Sequence, residues 1–279
     1  MMDAPPWTGA AVMLLLVLAT LVMIGALASS SWRAERHRRL VRAQPFPPAW
    51  RRILRQHVPA VARLPTHLQQ ALKRHVQVFI AEKPFIGCRG LEIDDTHRVV
   101  IAAQACLLLL GQGRPDYYPR LQQVLVYPDP FVVQREQALG AGLVQVQRRA
   151  MSGESWSHGQ VILSWPDVLA GAADPDDGQN VVLHEFAHQI DQDSGVADGR
   201  PWRSSRRVRL RWNAVMDAAF ARLQAQPSVV IDAYAATDPA EYFAVVTELF
   251  FERPKALSDE APEVYAELVR LYQLQPLAW

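Results

Sequence analysis

The sequence predicts an α+β fold, mainly helical with one small sheet, and three observations carry that expectation. Apolar residues at four-residue spacing run through 64–111, β-rich runs separated by Pro, Gly and Asp turns fill the middle, and helical periodicity returns from Gly178 to the end. With 279 residues, half of them hydrophobic, the chain suffices for one sizeable core plus an appendage. No internal repeat is visible.

At the N-terminus, 7–28 contains no charged residue and includes the run Met13-Leu14-Leu15-Leu16-Val17-Leu18. That length can span a bilayer. Arg33, Arg36, Arg38, Arg39 and Arg42 follow it, whereas only Asp3 precedes it. By the positive-inside rule, 1–32 is expected to be a transmembrane anchor, single-pass in the inner membrane, with the bulk of the chain in the cytoplasm. Ala26-Leu27-Ala28 has the small-x-small form of a cleavage site, but the basic start of a signal peptide is missing. Residues 33–48, basic and ending in Pro45-Phe46-Pro47-Pro48, are expected as a linker, leaving 49–279 as the folded domain.

Within that domain Leu68, Leu72, Val76 and Ile80 mark one helix, and 99–110 is apolar enough for a buried one. Strands are expected at 123–127, 131–133 and 160–165. From Gly178 the helices are broken by polar stretches near 193–202 and 226–239. Cys88 and Cys106 suggest neither a disulfide framework nor a thiolate metal site. A net charge of +1 gives no reason to expect direct nucleic-acid binding.

The segment His184-Glu185-Phe186-Ala187-His188 carries the chemistry. Residues four apart share a helix face, so His184 and His188 can offer two imidazole nitrogens to one zinc ion. Glu185 then projects beside them, placed to take a proton from the metal-activated water and return it to a leaving amine. Chance produces the bare pattern in about one chain per hundred of this composition. Here, however, Val181, Val182, Leu183, Phe186, Ala187 and Ile190 make the helix apolar, and polar groups inside such a helix need partners. Asp191 shares the histidine face and is a candidate to hold a ligand's second ring nitrogen, against the plainer reading of a solvated acid near a helix end.

A catalytic zinc needs a third protein ligand. Glu241 is the first candidate, in the apolar run 239–251, although Asp238-Pro239-Ala240-Glu241 also fits a helix cap with Glu241 completing a capping box. Glu248, seven residues on, lies on nearly the same face and ranks second. Tyr234 could donate its hydroxyl to a tetrahedral oxyanion, or be a packed loop tyrosine. The strand 160–165 could pair with an extended substrate if it lay at a sheet edge; an ordinary core strand is the plainer reading.

The chain resembles the Mlc titration factor A family of zinc peptidases, peptidase family M90. The match includes 124–133, the Ser152-Gly153-Glu154-Ser155-Trp156 turn, 161–165, 184–191 and 231–251. The resemblance implies a zincin-like metallopeptidase domain, a peptide substrate and Glu241 as third ligand in place of Glu248. It also implies aminopeptidase-like activity on short peptides, and a partner of another kind, since the family is named for capturing a transcriptional repressor. The family is similar in turn to the anthrax lethal factor catalytic domain, where a tyrosine seven residues before the ligand glutamate assists catalysis, the spacing of Tyr234 and Glu241. Two departures stand out. Gln145 occupies the place of a histidine that can block the zinc in better-known members, and those members lack the apolar N-terminal segment.

Overall fold

The computed structural model describes residues 7–113, 115–138, 144–151, 153–156, 159–201 and 205–279. The chain divides after Pro45 into two compact units. The first holds α1 (Trp7–Ala43). The second begins with α2 (Pro48–His57), α3 (Ala60–Arg63), α4 (Thr66–Glu82), strand β1 (Phe85–Gly87) and α5 (Asp95–Leu107). Strands β2 (Gln123–Tyr127), β3 (Phe131–Ala138), β4 (Val144–Met151), β5 (Gly153–Trp156) and β6 (Gln160–Ser164) follow. The rest is helical: α6 (Trp165–Ala173), α7 (Val181–Asp191), α8 (Arg206–Ala225), α9 (Pro239–Glu252), α10 (Pro254–Glu260) and α11 (Pro262–Tyr272).

The expected membrane anchor is corrected here. Among the described residues, no helix is long and apolar enough to cross a membrane, which overturns the single-pass inner-membrane placement. Helix α1 runs on through Arg33, Glu35, Arg36, Arg38, Arg39 and Arg42, with Glu35 paired to Arg39 at 3.3 Å and to Arg42 at 3.2 Å. Residues 33–43, expected as part of a linker, therefore continue α1. Ala, Glu, Leu and Arg are good helix formers, and the helix stops only as Pro45 and Pro47 approach.

The main sheet has the order β1-β2-β6-β5, with β1, β2 and β6 parallel and β5 antiparallel to β6. β3 and β4 form a separate antiparallel ribbon. The stretch expected as a turn at 152–156 is thus the edge strand β5 from Gly153 onward, while Ser152 lies outside the described residues. β6 has neighbours on both sides, so it offers no free edge, and Trp165 already belongs to α6. β2 alternates half-buried with buried residues, Val124 and Val126 pointing into the core.

In α4 the four-residue stripe is only half right. Leu72 and Val76 are fully buried, but Leu68 and Ile80 are not, and Phe79 takes the inner position at the end. A spacing of four drifts about 40° per step around a 3.6-residue helix, so the stripe rotates out of the core. Phe79 meets Phe186 of α7 at 5.7 Å between ring centroids, and Tyr118 meets Phe186 at 4.8 Å, both edge-on. The Tyr118 hydroxyl donates to the Ala105 carbonyl at 2.6 Å, which satisfies the polar end of that ring. Phe186 therefore locks α7 against α4 and the loop before β2. Truncating it, Phe186→Ala, is expected to cost about 3–5 kcal/mol of stability in denaturant titrations.

Candidate metal centre

Helix α7 starts where Asn180 caps it, its side chain accepting the Leu183 N–H at 3.0 Å. Helix α9 starts at Asp238, whose side chain accepts the N–H groups of Ala240 at 2.9 Å and Glu241 at 3.0 Å. The cap expected at Asp238 is real, yet it leaves the Glu241 side chain available for other work. The two helices pack against each other, so the first turn of α9 faces the histidines of α7.

His184, His188 and Glu241 present one ligand atom each within 4.8 Å of one another. His184 Nε2 lies 3.0 Å from Glu241 Oε2 and 3.2 Å from His188 Nε2, and His188 Nε2 lies 3.6 Å from the same carboxylate oxygen. Two imidazole nitrogens and a carboxylate oxygen at these separations suit three corners of a tetrahedron about a first-row divalent ion, whose edges are about 3.3–3.6 Å. Burial pulls the His184 imidazole down, but hydrogen bonds to Glu241 and then Glu248 outweigh it and hold its pKa well above the usual value. Burial likewise pushes the Glu241 carboxyl up, and the bonds from His184 and His188 overcome that to leave it far below its ordinary range. His188 is lowered, chiefly by burial. A coordinated cation would take the place of the proton that ties these groups together.

Glu185 and the three ligand candidates line one cleft of about 320 Å³, with Gln192, Asp198 and Asp238 on its walls. Glu185 is 4% exposed. Tyr234, in a 3-10 turn before α9, is half-buried with its ring centroid 6.2 Å from that of His184.

The model of the glucose-regulated metallopeptidase family M90 matches residues 31–273. The chain belongs to that family. It is similar to an uncharacterized protein of Synechocystis sp., 39% identical over 251 residues, 88% of this chain and 90% of the relative. It is also similar to the Mlc titration factor A of Klebsiella pneumoniae, 36% identical over 228 residues, and of Escherichia coli, 35% over 227 residues; both alignments cover 79% of this chain and 84% of the relative.

Within this M90 chain, several residues around the site were not marked by sequence. Asn180 and Glu252 are two: the Asn180 side chain donates to Glu252 Oε1 at 2.9 Å and to the Gly171 carbonyl at 3.0 Å. Glu248, ranked as a second candidate ligand, lies with Oε1 2.8 Å from His184 Nδ1, on the far side of the ring from Glu241. Asp191, placed by sequence beside a ligand, is fully buried and accepts the Gly199 N–H at 2.6 Å. Gly199 itself has φ +74°, accepts the Trp212 indole N–H at 2.9 Å, and lies so close to α9 that a Cβ would come within 2.3 Å of the Pro239 carbonyl oxygen. That knot fixes the loop 197–200 on the cleft wall. The Gln145 side chain lies outside the described residues; its backbone sits in β4, paired with Gln137.

Burial raises the Glu252 carboxyl from 4.5 to about 8, helped by the charge of Glu248, and raises Asp191 to about 7 and Asp193 to about 6. A carboxyl raised in the folded state keeps a proton that the unfolded chain has released. Its stabilising contribution is full below about 4.5 and is lost as pH rises through 8. Wild-type thermal stability is therefore expected to fall from pH 7 to pH 8, with Glu252 contributing most of that fall among these three acids and Asp191 the rest. Glu252→Gln, measured by melting against pH, should make that fall shallower.

Proposed function

We propose that this chain is a zinc-dependent peptidase, with His184, His188 and Glu241 as the metal ligands and Glu185 as the general base. The observation that carries this reading is the meeting of those three ligand atoms in the cleft that Glu185 lines. Three protein ligands from imidazole and carboxylate, with one side open to a cleft, are the donor set of a catalytic zinc. A glutamate from a later helix completing the HExxH pair, beside a sheet with an antiparallel edge strand, supports a zincin-like domain.

When bound, zinc supplies Lewis acidity, polarising the scissile carbonyl and lowering the pKa of water toward about 7. The residues of the chain do the rest. A Glu185 carboxylate oxygen takes the proton of the attacking water and delivers it to the amine nitrogen as the C–N bond breaks. His184 and His188 hold their Nε2 atoms inward, and Glu241 adds the negative charge that neutralises part of the cation. Tyr234 is the oxyanion donor in this reading, its phenol proton directed at the developing negative oxygen. Tyr234→Phe should then lower kcat on the order of 100-fold with zinc content unchanged, as read by steady-state kinetics and metal analysis.

The substrate class is peptides, short ones cleaved from the N-terminus in the family resemblance. Zinc content together with a peptide-library cleavage profile tests the whole reading. One zinc per chain and defined cleavage are expected; a chain with stoichiometric zinc and no cleavage of any peptide would leave the second reading. That second reading is sequestration of a transcriptional regulator, favoured by the name Mlc titration factor A carried by relatives at 35–36% identity. Binding of a regulator and hydrolysis are compatible, and Glu185→Gln measured for both separates them.

A further inference from the structure

Glu248 is buried at 7% exposure and spends both of its oxygens on α7. Oε1 faces His184 Nδ1 at 2.8 Å, and Oε2 accepts the backbone N–H of Asn180 at 2.5 Å. Glu241 and Glu248 are seven residues apart on α9, about 10 Å along the axis, so they reach opposite nitrogens of the same His184 ring. An imidazole that donates from Nδ1 is left with its acceptor lone pair on Nε2, which is the atom aimed at His188 and Glu241.

We propose that Glu248 is a positioning residue for the metal: it fixes the tautomer and the plane of His184, and does so from a mooring on the amide that opens α7. The proposal rests on the zinc reading above. Asn180 is where the mooring is made. Its backbone N–H goes to Glu248, its side-chain oxygen caps α7, and its side-chain N–H groups go to Gly171 and to Glu252, one turn beyond Glu248 on α9. One helix thus supplies a ligand to the centre and the orienting carboxylate of the ligand opposite. Losing such an orienting partner costs a metal site about 10–100-fold in affinity.

A purely structural staple between α7 and α9 would leave metal affinity alone, and that distinction sets the experiment. Zinc affinity is measured by chelator competition for wild type, Glu248→Ala, Glu248→Met, Glu248→Gln and Asn180→Ala, alongside melting of the metal-stripped proteins and steady-state kcat and KM. Glu248→Ala and the volume-filling Glu248→Met should bind zinc about 10–100-fold more weakly at an unchanged one-to-one stoichiometry. Glu248→Gln keeps one oxygen to accept from Nδ1–H but turns its amide NH2 toward the Asn180 N–H, so it should recover only part of that loss. Asn180→Ala keeps the backbone N–H and should melt lower while binding zinc within about threefold of wild type. At saturating zinc the Glu248→Met defect should appear in kcat more than in KM. Wild-type affinity in Glu248→Met, or a loss in Asn180→Ala equal to that in Glu248→Ala, would overturn the proposal. So would zinc retained by Glu241→Ala but absent from Glu248→Met, which would make Glu248 the ligand. A wild-type chain that binds no zinc at all defeats the metal reading itself, and is recognised before any variant is compared.

Discussion

Glu185→Gln is expected to lower kcat/KM for peptide hydrolysis by about 10²–10⁴-fold while zinc content and melting temperature stay near wild type. The amide keeps the shape of the side chain, so the packing around this buried position survives, but it has no basic oxygen to take a proton at neutral pH. The ligand atoms of His184, His188 and Glu241 are untouched, so the metal stays. The loss should therefore fall in kcat and leave KM nearly unchanged, because what disappears is a proton transfer needed only in the transition state. Hydrolysis at the wild-type rate in this variant would remove the enzymatic assignment. Persistent capture of a regulator by the inactive protein would show that titration does not need hydrolysis.

Glu241→Ala is expected to abolish stoichiometric zinc binding and, with it, hydrolysis. The affinity loss should exceed the roughly 100-fold ceiling that an outer carboxylate can cause. The fold should survive, because the start of α9 is capped by Asp238, which holds the N–H groups of Ala240 and Glu241 whatever side chain position 241 carries. Two imidazoles four residues apart remain, enough for a weak bidentate site but short of the three ligands a catalytic zinc keeps. Metal analysis after dialysis, with melting of the metal-stripped protein as the folding control, reads both halves. Retained zinc at full stoichiometry in a folded Glu241→Ala protein would contradict the ligand assignment.

The sequence made part of this legible because the relevant spacings are local. Two histidines at i and i+4 must share a helix face, and Glu241, two residues after the Pro239 that starts α9, must lie in the first turn of that helix. Glu248 shows the limit. A seven-residue spacing says that it shares a face with Glu241, but two turns of rise put it on the other side of the His184 ring, and depth along an axis is set by how two helices dock. Asn180, Glu252 and Gly199 were silent for the same reason, since each acts on a residue distant in sequence or through its backbone. In the fold, β1 is three residues long and flanked by Pro84 and Cys88, too short for a periodicity to register. β5 opens on Gly153 after Ser152, a pair that reads as a turn until a partner strand is present. The N-terminal helix misleads in the opposite direction: an uncharged run reads as a bilayer span, whereas no helix among the described residues is long and apolar enough to cross a membrane, and this one continues into charged sequence.

Gly199 sets what can be redesigned around the cleft. Pinned by Asp191, Trp212 and the start of α9, it leaves the loop no slack on its C-terminal side. On that wall, Ala197 and Asp198 line the cleft ahead of the pinned glycine. Insertions have their natural entry earlier, at the exposed Val196 beside Gly195 with its φ of +116°. A loop transplanted from a relative would keep its shape here only if it ends on glycine.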